Sequence, residues 1–386
     1  MSQFPVEKHT NSVIAVELAM QKWLEKHKEQ TKSTVQVVYH LEIEFYLTDL
    51  FLYRSRPDLM LCGRTLQGLS PSENLFPHTP GHDGIPCRAQ DFLEDVQEKA
   101  EEQGMVISFR TSKKIPTHFA VELEVKETAN APEERQRLLN ILFDAEYDHD
   151  LKVLLHPQPF AGFPASAQYC NWSLITENGP LTASLRFPLQ CTGTLLHFNL
   201  LATELIEKHT GTTAGNAAGA PATNAAGALA QLEASLATAA AGLHCAANKD
   251  IPAEVQAYRE EQHALQLERE VHTLSQMAIN HFVAAAVRHQ NLLLENIRGL
   301  KKVFPEETFT DLASTQFKAL EVTARYVNEL RNLVHQLLDV WNGSPASKEE
   351  APALLEEIRK RADHLEMIVD NSLWPLPKYI DLLYLE

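Results

Sequence analysis

The side chains best placed to do chemistry are carboxylates and imidazoles, and their spacing separates several readings. In VQVVYHLEIEFYLTDLFLY, Val35, Val37, Tyr39 and Leu41 alternate with Gln36, Val38, His40 and Glu42, the two-residue period of a strand. That period puts Glu42, Glu44 and Tyr46 on one face, with two carboxylates side by side. His78, His82 and Asp83 have a metal-like spacing, but they fall in a Pro/Gly-rich loop with no helix to align the imidazoles. His263, His272, His281 and His289 are eight or nine residues apart on one helical pattern. They therefore form no i, i+4 ligand pair and read as solvated or packed side chains. Cys62, Cys87, Cys170, Cys191 and Cys245 are scattered without a CxxC pair, the pattern of reduced thiols. A P-loop, a GxSxG elbow and an HExxH motif are all missing.

The elements that must position these groups divide the chain in two. With 386 residues, 44% hydrophobic and 22% charged, it has material for two or three globular domains. A net charge of −17 opposes binding to nucleic acid or to anionic membranes. No apolar run is long enough to span a bilayer and no secretory leader is evident, so a cytoplasmic location is expected. Spacing predicts a helix over 12–30 with Ile14, Leu18 and Trp23 or Leu24 on one side, then the strand above, then an irregular loop over 70–86. A helix closed by Gly104 follows, and strands and helices alternate to residue 209. Residues 210–250 are rich in Ala, Gly, Thr and Asn and read as a linker with one helix, GALAQLEASLATAAA. Beyond it, a helix from Ala253 to Arg298 and two more around 308–341 and 348–371 make a helical bundle, and the chain closes in an extended tail. The expected class is α+β: a mixed α and β domain over 1–209, then the linker, then a C-terminal helical domain over 251–386.

Four blocks in order carry a family resemblance: EIEFYL (42–47), RPDLMLCGRTLQG (56–68), HPQPFAGFPASAQYCNWSLIT (156–176) and the segment from Ile358 to Tyr384 containing WPLPKY. They resemble type III glutamine synthetases, whose stretches run E-Q-E-Y-F-L, R-P-D-L-x-x-x-G-R-T-L-x-G, H-E-K-P-F-A-G-V-N-G-S-G-K-H-N-N-W-S and W-P-x-P-x-Y. The resemblance implies a ligase that uses ATP and Mg2+ to activate glutamate as a γ-phosphate for displacement by ammonia. It also implies that 1–209 is a partial, glutamine synthetase-like catalytic β-sheet or barrel domain, that Glu42 and Glu44 are metal-ligand positions, and that Asn171, Trp172 and Ser173 lie in the nucleotide neighbourhood.

The other functional positions depart from that pattern. Matching family R-H-N-E-V-A-P-x-Q-F-E through Arg110, Pro116 and Phe119 puts Lys113 and Ala120 where glutamates stand. The family's N-G-S-G-K-H is replaced by Pro164, Ala165, Ser166, Ala167, Gln168 and Tyr169, so both glycines and the metal-binding histidine are changed. Gln158 replaces a lysine, and the arginine-bearing segments expected between 190 and 250 are replaced by the linker. The expectation is a glutamine synthetase-like pseudoenzyme in nitrogen metabolism, acting in assembly or regulation, with no cofactor. Mg2+ and ATP enter only if the family activity is retained. Partners are a second copy or a glutamine synthetase paralogue, in a homo- or hetero-oligomer. The alternatives are residual ligase activity alongside a full-length paralogue, and sensing of a nucleotide or amino acid, with the Lys113 ammonium standing where a metal ion stood.

Overall fold

The computed structural model describes residues 6–27, 34–68, 85–112, 115, 117–125, 128–189, 192–211, 225–242, 253–344, 347–383 and 385. In chain order the elements are α1 (Val6–Lys26), β1 (Gln36–Asp49), α2 (Leu50–Arg54), α3 (Pro57–Cys62), α4 (Cys87–Glu102), β2 (Val106–Thr111), β3 (His118–Glu124), α5 (Ala131–Asp148) and β4 (Leu151–Leu154). There follow β5 (Gln168–Thr176), β6 (Gly179–Pro180), β7 (Leu185–Pro188), α6 (Thr192–Gly211), α7 (Ala225–Gly242), α8 (Ala253–Met277), α9 (Ala284–Val303), α10 (Glu306–Trp341), α11 (Ala351–Ile368) and α12 (Tyr379–Leu383). A π-helical stretch, Ala278–Val283, joins α8 to α9. The fold is mixed α and β, with a curled sheet, seven-stranded among the described residues, and a helical C-terminal region.

Two compact units emerge, and they do not follow chain order. The first comprises residues 1–47, 85–155 and 166–258; the second comprises 48–84, 156–165 and 259–386. The RPDL, GRTLQG and PFAG blocks, which a division at residue 209 places with the sheet, thus group with the helices.

In the first unit, β1 runs through the middle of the sheet in the order β2-β3-β1-β5-β6, with β4 also on β1 and β7 on β5. Val37, Tyr39, Leu41, Ile43 and Phe45 are all buried, as the two-residue period requires. The opposite face, with His40, Glu42, Glu44 and Tyr46, carries the polar groups. Tyr39 Oη donates to Asn199 Oδ1 at 3.0 Å, and Asn199 Nδ2 donates to Ser12 Oγ at 3.0 Å, which ties α1, β1 and α6 together. The helix α1 starts earlier than the spacing predicts, and its buried side is Val13, Val16, Met20, Trp23 and Leu24. Ile14 and Leu18 are exposed, because helical periodicity fixes an apolar stripe only to within about one position when apolar residues also flank it. Gly104 has φ of +72°, the left-handed turn that ends α4.

In the second unit the family-like blocks meet. Arg56 is almost fully buried and clamps Asp58 through two bonds, Nε to Oδ1 at 3.0 Å and Nη2 to Oδ2 at 2.7 Å. Its remaining donors reach the Pro377 carbonyl at 2.8 Å and the Gln67 carbonyl at 2.6 Å. Asp58 in turn accepts from the amides of Leu59 and Leu66. Every charge in this pair is therefore met by a partner, which is the condition for burying one. Tyr379 Oη lies 2.6 Å from Thr65 Oγ1, and Thr65 Oγ1 donates to the Pro159 carbonyl at 2.9 Å. A Cβ on Gly68 would stand 2.1 Å from the Tyr379 ring, and its φ of +149° is one that glycine alone adopts readily. The helices pack Val271, Leu274, Phe282, Leu330, Val334, Leu337, Ile358 and Leu365 into one core, and Trp374 stacks on Phe282 at 5.3 Å. The C-terminal tail is not wholly extended: it contains α12, whose Tyr379 and Leu382 are buried.

Candidate functional site

Strand pairing decides which side chains surround Glu42 and Glu44. Tyr169 of β5 and Glu122 of β3 stand opposite Glu42, while Ala120 stands opposite Glu44 and pairs on its far side with Arg110 of β2. Residues directly opposite share a face, so these groups line one surface. Glu42 is only 3% exposed, and cations meet both of its oxygens. Arg110 Nη2 bonds Oε1, and Arg186 Nη2 of β7 lies 2.9 Å from Oε2. Arg110 also reaches Glu122, Nε to Oε1 at 2.6 Å. Burial alone would lower the Arg110 pKa, but the Glu42 and Glu122 carboxylates more than offset it and hold the guanidinium above its ordinary value. Glu44 accepts from the Ala167 amide at 2.8 Å, and its own amide donates to the Ala167 carbonyl.

The remaining positions divide between faces and units. Tyr169 is covered by the Arg186 guanidinium, 3.8 Å above its ring. Asn171 pairs with His40 and Ser173 with Val38, which places both on the Glu42 face. Trp172 points the other way: it is fully buried and packs on Phe198 at 5.3 Å. Pro164 and Ala165 fall in the second unit and are exposed. There, Gln158 donates to the carbonyls of Phe160 and Phe163 at 2.7 and 2.9 Å, closing the PFAGF turn. His118 stacks on Tyr46 at 4.3 Å, and burial holds its pKa below the ordinary imidazole value. Lys113, His78, His82, Asp83, Cys191 and Cys245 lie outside the described residues. His263 and His272 of α8 are exposed, while His281 of the π-helical stretch and His289 of α9 are half-buried.

These donors do not fit a magnesium centre. Beside Glu42 and Glu44 the face supplies a third carboxylate, Glu122, which Arg110 already engages, together with a methyl group, a guanidinium-capped phenol and two arginines. Among the described residues, no group of three or more His, Cys, Asp or Glu is arranged to hold a metal ion. A divalent cation needs oxygen donors that are free to turn toward it, and Glu42 has already committed both of its oxygens. Arg186 escapes the sequence reading altogether, and Arg110 enters it only as a register anchor. The alternation in VISFRT and LRFP puts each arginine on a definite strand face, but which strand neighbours which is not written locally.

A polar sheet face with paired carboxylates, in a mixed α and β chain, is compatible with a glutamine synthetase-like fold. In sequence the chain is a relative of glutamine synthetases, a type-3 enzyme among them. It is 35% identical over 134 residues to a glutamine synthetase of Bacteroides fragilis (strain YCH46), covering 32% of this chain and 18% of that protein. It is 33% identical over 156 residues to the type-3 glutamine synthetase of Dictyostelium discoideum, covering 40% of this chain and 20% of that protein. Against a glutamine synthetase of Butyrivibrio fibrisolvens it is 29% identical over 139 residues, covering 36% of this chain and 20% of the relative. Each match thus spans about a fifth of the relative's length. No protein-family profile matches the chain. Among the described residues, no helix is long and apolar enough to cross a membrane.

Proposed function

We propose that this chain is a glutamine synthetase-like protein that does not perform the ligase reaction and acts instead in assembly or regulation, in a homo-oligomer or beside a catalytically complete homologue. The observation that carries this reading is the pairing of Glu42 with both Arg110 and Arg186. Phosphoryl transfer from ATP needs divalent cations to gather and neutralise the phosphates, and here fixed side-chain cations occupy the carboxylate that would hold one. The test supplies the purified protein with ATP, Mg2+, glutamate and ammonia and follows phosphate release and glutamine. The expected result is no turnover above that of Glu44→Ala. Turnover that disappears in Glu44→Ala would show the reading to be wrong.

One observation favours a second reading, recognition of an anionic nucleotide or amino acid without chemistry. Arg110 and Arg186 are 54% and 48% exposed, so their outer edges remain open to a ligand. A thermal-shift series with ATP, ADP, glutamate and glutamine separates the two, since a ligand that prefers the native state raises the melting midpoint.

A further inference from the structure

Among the described residues, the apolar cluster at the end of the helical hairpin is built from α9 and α10 alone. Here Ile297, Phe309 and Ala313, with Leu300 partly buried, form a small cluster separate from the main helical core. On α10 the residues buried in the main core begin only at Val327, where α11 helps to cover the helix. A seam between two helices buries one stripe of each and leaves their flanks to solvent.

One flank is unusual. The positions just before the inward-facing ones are Leu292, Asn296 and Gly299 on α9 and Leu312, Thr315 and Ala319 on α10, and Val303 continues the α9 stripe. In an antiparallel pair of right-handed helices these preceding positions fall on the same side. That side carries no charge. Leu292 is 50% exposed, Val303 73% and Leu312 45%. A Cβ on Gly299 would meet nothing within 4 Å among the described residues, so no close approach there requires a glycine, although in a helix interior it costs about 1 kcal/mol relative to alanine.

Charge selects the occupant. The chain carries −17, whereas the five basic and five acidic residues between 284 and 322 cancel. Two copies repel through their net charge, and this hairpin adds nothing to that repulsion. A two-fold contact uses the same patch on both copies, and pairing two hairpins converts two exposed seams into a four-helix arrangement. We propose that this flank is the docking surface for a second copy of the chain, with Gly299 admitting the close approach of the partner helix. Residues of the sheet face play no part in it, so it can fail or hold independently of the ligase assay.

The test is sedimentation equilibrium of the full chain over a wide concentration series. The unsubstituted protein is expected to show a reversible monomer–dimer equilibrium. Leu312→Asp combined with Val303→Asp should shift it to monomer, while Ser314→Asp, the same charge on the other side of α10, should leave the dimer intact. A second measurement does not depend on those variants folding: in a background where the exposed Cys87 and also Cys191 and Cys245 are replaced by Ser, Asn296→Cys treated with a short bis-maleimide should give a covalent dimer that the same background with Asn296 does not give. A monomer at every concentration, a dimer indifferent to the Leu312/Val303 change, a dimer lost equally with Ser314→Asp, or no cross-link through position 296 would each overturn the proposal.

Discussion

Two arginine–carboxylate clusters organise this molecule, and they differ in access to water. The Arg56–Asp58 clamp of the second unit is 1% and 0% exposed, and its donors and acceptors are taken up by backbone groups of the GRTLQG and WPLPKY blocks. The Arg110–Glu42–Arg186 cluster of the first unit has an equally buried carboxylate, but its guanidiniums are half in solvent. A closed network leaves no valence for a ligand and can only hold the chain together. An open one presents charged edges at a surface and still has something to bind with. The family-like blocks differ in use: RPDL, GRTLQG and WPLPKY lock a unit together, whereas the E-x-E strand lies on a face whose arginines reach solvent.

The sharpest way to break this contrast is to remove a carboxylate from the closed cluster. Asp58→Ala strands a buried guanidinium and is expected to destabilise the chain by about 3–5 kcal/mol, read by chemical denaturation with circular dichroism and tryptophan fluorescence. A loss below that of the open cluster would dissolve the distinction. For the open cluster, Arg110→Ala with Arg186→Ala leaves Glu42 buried without a cation. Since water already screens both guanidiniums, the expected cost is smaller, about 1–3 kcal/mol. Adding Glu42→Gln to that background should recover most of it, because the charge rather than the shape is then at fault; no recovery would mean the arginines act by packing alone.

The smallest effect concerns acid. Burial lowers the folded-state pKa of His118 below 6.5, so on acidification the unfolded chain takes up the proton first. Its contribution to stability is therefore full above about pH 6.5 and declines as the pH falls toward the folded-state value. His118→Phe keeps a ring against Tyr46 and removes the proton site. Its melting midpoint should fall less than that of the parent between about pH 7 and about pH 5, and parallel curves would show that His118 does not titrate in this way.

Much of the local architecture is legible in the residues. The period of β1, the Gly104 stop after α4, and the long patterns of α10 and α11 follow from short-range rules: side-chain alternation, glycine's left-handed freedom and a 3.6-residue stripe. The buried side of α1 does not follow, because Ile14 and Leu18 fit a helical stripe as well as Val13 and Met20 do, and only the packing chooses. Nor does the short α12, a five-residue helix bounded by Pro375 and Pro377 on one side, since such a helix draws its stability from tertiary contacts.

Sequence alone determined that Glu42 and Glu44 share a strand face. Side-chain alternation and residue identity are local properties and need no knowledge of the fold. Only the tertiary structure decided that Arg110 and Arg186 would take up Glu42, and that RPDL, GRTLQG, PFAG and WPLPKY would converge in one unit. Arg110 is 68 residues from Glu42 and Tyr379 is 314 from Thr65. Contacts across such distances are fixed by strand order and chain crossing, which no window of sequence contains.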